Sequence, residues 1–216
     1  MKVKICCISS VEEARMAIQY GASALGLVGK MPSGPGPIGD DLIFEITRVI
    51  PPPVASFLLT SETKTAQIIQ HHHRTFTNTI QLVDELFERD YKALKQALPA
   101  IKIVQVIHVV DESSVDEAIE ISEWADALLL DSGNPKLAVK ELGGTGRTHN
   151  WVLSRTIVEQ SKIPVFLAGG LNENNVRDAI EHVNPYGIDL CSSIRTNGQL
   201  DEAKLERFFK AADYAS

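Results

Sequence analysis

The chain is poor in the residues that would place it outside a cell or on a polyanion. It has only three cysteines in 216 residues, Cys6, Cys7 and Cys191. Two adjacent cysteines are poor partners for a structural disulfide, so the set argues against a disulfide framework and for a reducing, cytoplasmic setting. Positive charge is in deficit: 21 Lys and Arg stand against 28 Asp and Glu, a formal net charge of −7. That balance argues against a general nucleic-acid binder and against an anionic membrane surface. It leaves room for an anionic small molecule, because a site can be locally positive. No apolar run approaches the ~20 residues of a membrane span. Residues 1–21 lack the apolar core of a secretion signal. No linker or low-complexity segment splits the chain, so one domain over residues 1–216 is expected. No side-chain grouping has metal-ligand spacing.

What is present is alternation. Short apolar runs at 3–8, 22–28, 54–59, 77–82, 101–109, 125–130, 163–167 and 187–191 read as strands. Helical spacing fills the gaps between them. Ala14, Ala17 and Ile18 share one face, and Leu42, Ile46, Val49 and Ile50 another. A weaker pattern covers 61–73. Phe87, Tyr91, Leu94 and Leu98 follow, then Val115, Ala118 and Ile119, and then residues 149–160. Val176, Ala179, Ile180 and Val183 make the next face, and Leu205, Phe208, Phe209 and Ala212 the last. Ser10 with Glu13, and Ser114 with Glu117, read as capping boxes. Eight strand–helix units with strands apolar throughout predict strands buried on both faces. That is the α/β class, a (β/α)8 TIM barrel, with an open doubly wound sheet as the rival.

In such a barrel, function collects where strands end. Those ends carry Cys6 and Cys7, Lys30, Gln81 and Asp84, His108, Asp131, Gly169 and Gly170, and Ser192 and Ser193. The most informative stretch is 125–151, ADALLLDSGNPKLAVKELGGTGRTHNW: a buried-strand pattern, an acid at its end, then a loop rich in Gly and Lys. Gly169, Gly170, Ser192 and Ser193 follow the seventh and eighth strands. There, backbone N–H groups and a helix N-terminus can hold a phosphate. Gly144 and Gly146 offer a further cradle. The plain alternatives are a turn cap for Asp131 and a small buried hydrophobe for Cys6. His71, His72 and His73 are consecutive and cannot ligate one metal together, so a solvated helix end is expected. His108 reads as a satisfied interior histidine and Trp151 as a packing anchor.

Seven stretches resemble the phosphoribosylanthranilate isomerase family of tryptophan biosynthesis. They are KICCIS (4–9), GASALGLV (21–28), IQL (80–82), LLLDS (128–132), GGTGRTHNW (143–151), LAGGLNENNV (167–176) and IDLCSS (188–193). They run in family order along nearly the whole chain. The resemblance implies a (β/α)8 barrel and an aldose–ketose isomerase that performs a cofactor-free Amadori rearrangement. It places the general base at Cys6 and the general acid at Asp131, a thiolate and a carboxyl suited to those roles when their acidities are tuned. It also implies a small phosphosugar substrate, no nucleic acid and no membrane, and a monomer or homodimer.

Four departures accompany the match. Cys6-Cys7 stands where the family has Cys-Gly. Met31-Pro32-Ser33 stands for Ser-Pro-Arg, whose arginine meets the anthranilate carboxylate; a serine cannot replace a bidentate guanidinium. Gln81-Leu82-Val83-Asp84 replaces Gln-Leu-His-Gly, and Ser192-Ser193-Ile194-Arg195 replaces Ser-Gly-Val-Glu. Arg195 and Lys30 are the candidate replacement cations, and Gln81 a further substrate contact. The alternatives are the same barrel on a different phosphosugar, or a noncatalytic phosphosugar-binding relative.

Overall fold

The computed structural model of the chain describes residues 1–133 and 148–213. Eight parallel strands close into a barrel in chain order: β1 (Lys2–Ile5), β2 (Ala24–Val28), β3 (Ala55–Thr60), β4 (Thr79–Leu82), β5 (Lys102–His108), β6 (Ala127–Asp131), β7 (Val165–Leu167) and β8 (Gly187–Leu190). β1 pairs with both β2 and β8, which excludes the open sheet. The helices that follow them are α1 (Val11–Gln19), α2 (Asp40–Thr47), α3 (Thr65–Thr75), α4 (Tyr91–Ala97), α5 (Ser113–Ser122), α6 (Trp151–Gln160), α7 (Val176–Val183) and α8 (Glu202–Asp213). A short antiparallel hairpin, β9 (Arg195–Thr196) with β10 (Gln199–Leu200), precedes α8. No helix among the described residues is long and apolar enough to cross a membrane.

Strand periodicity divides the buried residues into two cores. Val3 and Ile5, Leu25 and Leu27, Ile103 and Ile107, and Leu128 and Leu130 pack with the helices. Their neighbours one residue along, such as Ala24, Phe57, Val104, Ala127 and Phe166, fill the barrel. Because successive strand side chains face opposite ways, the inward set also includes Lys4, Cys6, Gln81, Asp131 and Asp189. Each fully buried Leu or Ile contributes about 1.5–3 kcal/mol over leaving it exposed, so this double core dominates the fold's stability.

Several local expectations are corrected. Half of the Ser10–Glu13 box forms: the Glu13 N–H donates to Ser10 Oγ at 3.1 Å, but the Glu13 carboxylate accepts from the Ser9 N–H at 2.9 Å rather than from the N-cap Ser10. Ser114 caps nothing. It lies inside α5, where its Oγ accepts from Val110 N–H and donates to His108 O, tying strand end to helix. Residues beyond Thr47 leave the helix, so the buried face of α2 is Ile43 and Ile46 while Val49 is exposed. Phe87 is exposed as well, because a 3₁₀ turn breaks the pattern before α4. Only His73 of the three histidines is solvated. His71 is buried between Thr60 Oγ1 (2.9 Å) and Asp40 Oδ1 (3.1 Å), and His72 Nε2 bonds Thr77 O at 2.8 Å.

Candidate active site

One cavity at the C-terminal ends of the strands collects most of the sequence candidates. Cys6, Gln81, Asp131, Gly169, Gly170, Ser192 and Ser193 all line it, together with Cys7, Met31, Ser33 and Asp189. Cys6 follows β1 and Asp131 ends β6, so the thiol and the carboxylate face the same space from different strands. Asp131 Oδ1 accepts from the Ser132 N–H at 2.7 Å, which orients the carboxylate.

Beneath the cavity lies a pair that sequence reasoning missed. Lys4 is fully buried, and its Nζ stands 2.9 Å from Asp189 Oδ1. Strand register makes the two residues neighbours on β1 and β8. The contact is ionic; neither atom completes an aligned hydrogen bond. Burial alone lowers the lysine, but Asp189 and Cys6 outweigh it and hold the ammonium charged. Gly26 on β2 leaves room for this cluster: a Cβ there would fall 2.7 Å from Cys6 Sγ and 3.1 Å from Lys4 Nζ. The available signal was the lysine inside the apolar alternation of KVKI, since a buried lysine requires a counter-ion.

The three thiols are free. Cys7 lies against Cys6, and its contact draws the Cys6 thiol below the ordinary value; burial opposes this and the Lys4 charge assists it. Cys191 and Cys6 both push Cys7 upward, so Cys7 is the protonated member. The arrangement favours ionisation at Cys6 over Cys7.

Across the mouth, Gly169 and Gly170 have φ of 82° and 63°, in the left-handed region where glycine is at ease. The carbonyl of Gly170 accepts from Asn172 Nδ2 (3.2 Å) and Asn175 Nδ2 (3.0 Å). No hydrogen bond among the described residues uses the N–H of Gly169 or Gly170. Ser193 Oγ and Gln81 Oε1 are buried with no hydrogen-bond partner among the described residues, as expected of groups that meet a polar ligand. Gly144 and Gly146 lie outside the described residues.

Neither candidate cation faces this space. Lys30 is exposed beyond β2. Arg195 is held elsewhere: Nη1 and Nη2 donate to the Glu13 carboxylate at 3.0–3.2 Å, and Nη2 donates to Cys6 O at 3.2 Å and to Cys7 O. It therefore braces the backbone around the cysteines from outside the cavity. Among the described lining residues there is no Lys or Arg.

Two histidines flank the acid. His108 pairs in register with Asp131 but opens onto a different surface pocket, and its Nε2 meets Val83 O at 3.3 Å. His149 bonds Ser154 Oγ at 2.7 Å. Burial pushes His149 down to about 4, against the pull of Asp131. No group of three or more metal-ligating side chains among the described residues could hold an ion.

A closed (β/α)8 barrel with a thiol and a carboxylate on one rim is the layout of an acid–base enzyme. The family model for N-(5'phosphoribosyl)anthranilate (PRA) isomerase matches residues 3–211, and the chain belongs to that family. It is 36% identical over 214 residues to N-(5'-phosphoribosyl)anthranilate isomerase 2 of Methanosarcina mazei, covering 98% of this chain and 94% of the relative. The fold matches the phosphoribosyl anthranilate isomerase of Thermotoga maritima with a TM-score of 0.83 at 27% identity, over 99% of both chains. A phosphoribosyl anthranilate isomerase solved with reduced 1-(o-carboxyphenylamino)-1-deoxyribulose 5-phosphate matches with a TM-score of 0.80 at 25% identity, again over 99% of both.

Proposed function

We propose that this chain, acting as a single (β/α)8 domain, isomerises N-(5-phosphoribosyl)anthranilate to 1-(o-carboxyphenylamino)-1-deoxyribulose 5-phosphate in tryptophan biosynthesis. The observation that carries the proposal is the convergence of Cys6 and Asp131 on one cavity, with Lys4 and Cys7 beside the Cys6 sulfur. Asp131 gives a proton to the furanose ring oxygen. The C1–O bond breaks and the nitrogen lone pair forms the iminium. The Cys6 thiolate then removes the C2 proton, and the electron pair neutralises the iminium as an enolamine. Tautomerisation yields the ketone, and proton return from Cys6 to Asp131 through substrate or solvent resets the pair. The iminium is the electron sink, so no cofactor enters the scheme.

In this scheme the phosphate sits on the N–H groups of Gly169 and Gly170 and on Ser192 and Ser193, with Gly144 and Gly146 completing the cradle. Gln81 contacts the sugar. The setting is a reducing cytoplasm that keeps the thiols free, and the working unit is a monomer or homodimer. A second proposal, the same rearrangement on another phosphoribosylamine, is favoured by the missing Lys or Arg among the described lining residues.

Loss of phosphoribosylanthranilate fluorescence measures turnover directly. The native protein is expected to turn over, and Asp131→Asn to lose at least about a hundredfold while still binding a product-like phosphosugar. A folded native protein that binds the phosphosugar without turnover would favour the second substrate. Full activity in Asp131→Asn would overturn the acid assignment.

A further inference from the structure

Cys6 immediately follows β1, where the strand ladder holds only part of the backbone around it. The peptide plane before it is fixed, because the Cys6 N–H donates to Leu190 O at 2.7 Å. After it, no backbone N–H among the described residues donates to the carbonyl of Cys6 or of Cys7. Cys7 then turns the chain with φ 62°, a left-handed conformation that a non-glycine residue adopts only at a cost. Arg195 meets both carbonyls: its Nη2 donates to Cys6 O at 3.2 Å and to Cys7 O. The guanidinium is itself held. Glu13 accepts from Nη1 and Nη2 at 3.0–3.2 Å, and Gly198 O accepts from Nη1 at 3.0 Å. Glu13 also accepts from the Ser9 and Leu200 N–H groups at 2.9 and 2.7 Å, so the brace ties the start of α1 to the β9–β10 hairpin. Both side chains are almost wholly buried, at 7% and 10% exposure.

We propose that Arg195 is a positioning residue for the reaction: by fixing the Cys6 and Cys7 carbonyls, it aims the Cys6 sulfur at the C2 proton. The assignment rests on the reading of Cys6 as the base. The direction of the Cys6 side chain follows from the two peptide planes that flank its Cα. β8 holds the first plane and Arg195 holds the second. The sulfur is packed against β2, since a Cβ on Gly26 would lie 2.7 Å from Cys6 Sγ. A base must lie within hydrogen-bond reach of the proton it removes, and a displacement of about 1 Å can lower a rate about a hundredfold. Arg195 does not line the cavity, so it acts through the backbone and not through the substrate. The task suits arginine, whose planar fork spans a carboxylate and two carbonyls at once, where lysine offers a single point charge.

The test compares Arg195→Met, Arg195→Lys and the double variant Glu13→Gln/Arg195→Met with the native protein. The double variant leaves no buried carboxylate without its partner, which guards against a folding failure. Turnover is followed with phosphoribosylanthranilate carrying hydrogen or deuterium at C2. We expect kcat to fall about tenfold or more in Arg195→Met and in the double variant, with KM within about twofold of native. Proton removal at C2 then becomes the slower step, so the deuterium effect on kcat should grow as kcat falls. A mere loss of folded enzyme lowers kcat without changing that ratio. Arg195→Lys should fall between native and Arg195→Met in both readouts. Native kcat in Arg195→Met and the double variant, or a fall in kcat with an unchanged deuterium effect, would overturn the proposal while leaving Cys6 as the base. Full turnover in Cys6→Ser, or no turnover by the native protein, would instead overturn the reading beneath it, and the proposal with it.

Discussion

The two walls of the cavity are built from different material. On the β7–β8 side the wall is largely backbone: Gly169 and Gly170 in left-handed conformation, then Ser192 and Ser193 in a 3₁₀ turn. On the β1–β2 side it is made of side chains: Cys7, with Met31 and Ser33 from a Pro- and Gly-rich loop. A backbone wall admits few residues, because left-handed φ costs roughly 1–2 kcal/mol outside glycine. A side-chain wall can be altered one position at a time. The AGGL motif survives on the first wall, where Ser193 is the one departure, while the second carries the Cys7 and Ser33 departures. Under the proposed function, the phosphosugar end meets the wall richer in backbone and the amine end meets side chains.

The sharpest way to break this contrast is to remove the floor that joins the walls. Asp189→Ala leaves Lys4 buried without its counter-ion, at a cost of about 3–5 kcal/mol. Denaturant unfolding should show that loss, and Lys4→Met in the same chain should recover much of it. A single variant as stable as the native protein would mean that Lys4 finds another partner. A smaller effect is expected at Gly170→Ala, where a Cβ meets φ 63°. KM should rise about tenfold with kcat much less affected. A fall in kcat at constant KM would place Gly170 in the chemistry rather than the phosphate cradle. The smallest effect is expected on the other wall. Ser33→Arg should raise kcat/KM for the anthranilate substrate severalfold by supplying a bidentate cation. No gain would mean that the amine wall is rebuilt as a whole and not simply missing a clamp.

The barrel was legible because it rests on short-range patterning: eight apolar runs, each followed by a helical face. The strand-end positions of Cys6, Gln81, Asp131 and the Gly169–Gly170 pair followed from it. The larger failures came where a residue's partner is distant in the chain. Arg195 reads locally as a rim cation because Glu13, its counter-ion, is 182 residues away. Glu13 in turn reads as half of a capping box and serves both tasks. His71 looks solvated until Asp40 and Thr60 arrive from other elements. Ser114 has the spacing of a cap, but the helix begins one residue earlier and the hydroxyl is spent on the strand end.

The Arg195–Glu13 brace also sets a condition on synthesis. As the chain leaves the ribosome, Cys6, Cys7 and Glu13 appear long before Asp189 and Arg195. Until then β1 lacks its β8 neighbour, Lys4 lacks its counter-ion and the two cysteine carbonyls lack their guanidinium. Contacts of such sequence separation form late and slowly. Before the barrel is sealed, the chain therefore carries the Cys6 sulfur without the charges and contacts that surround it in the fold.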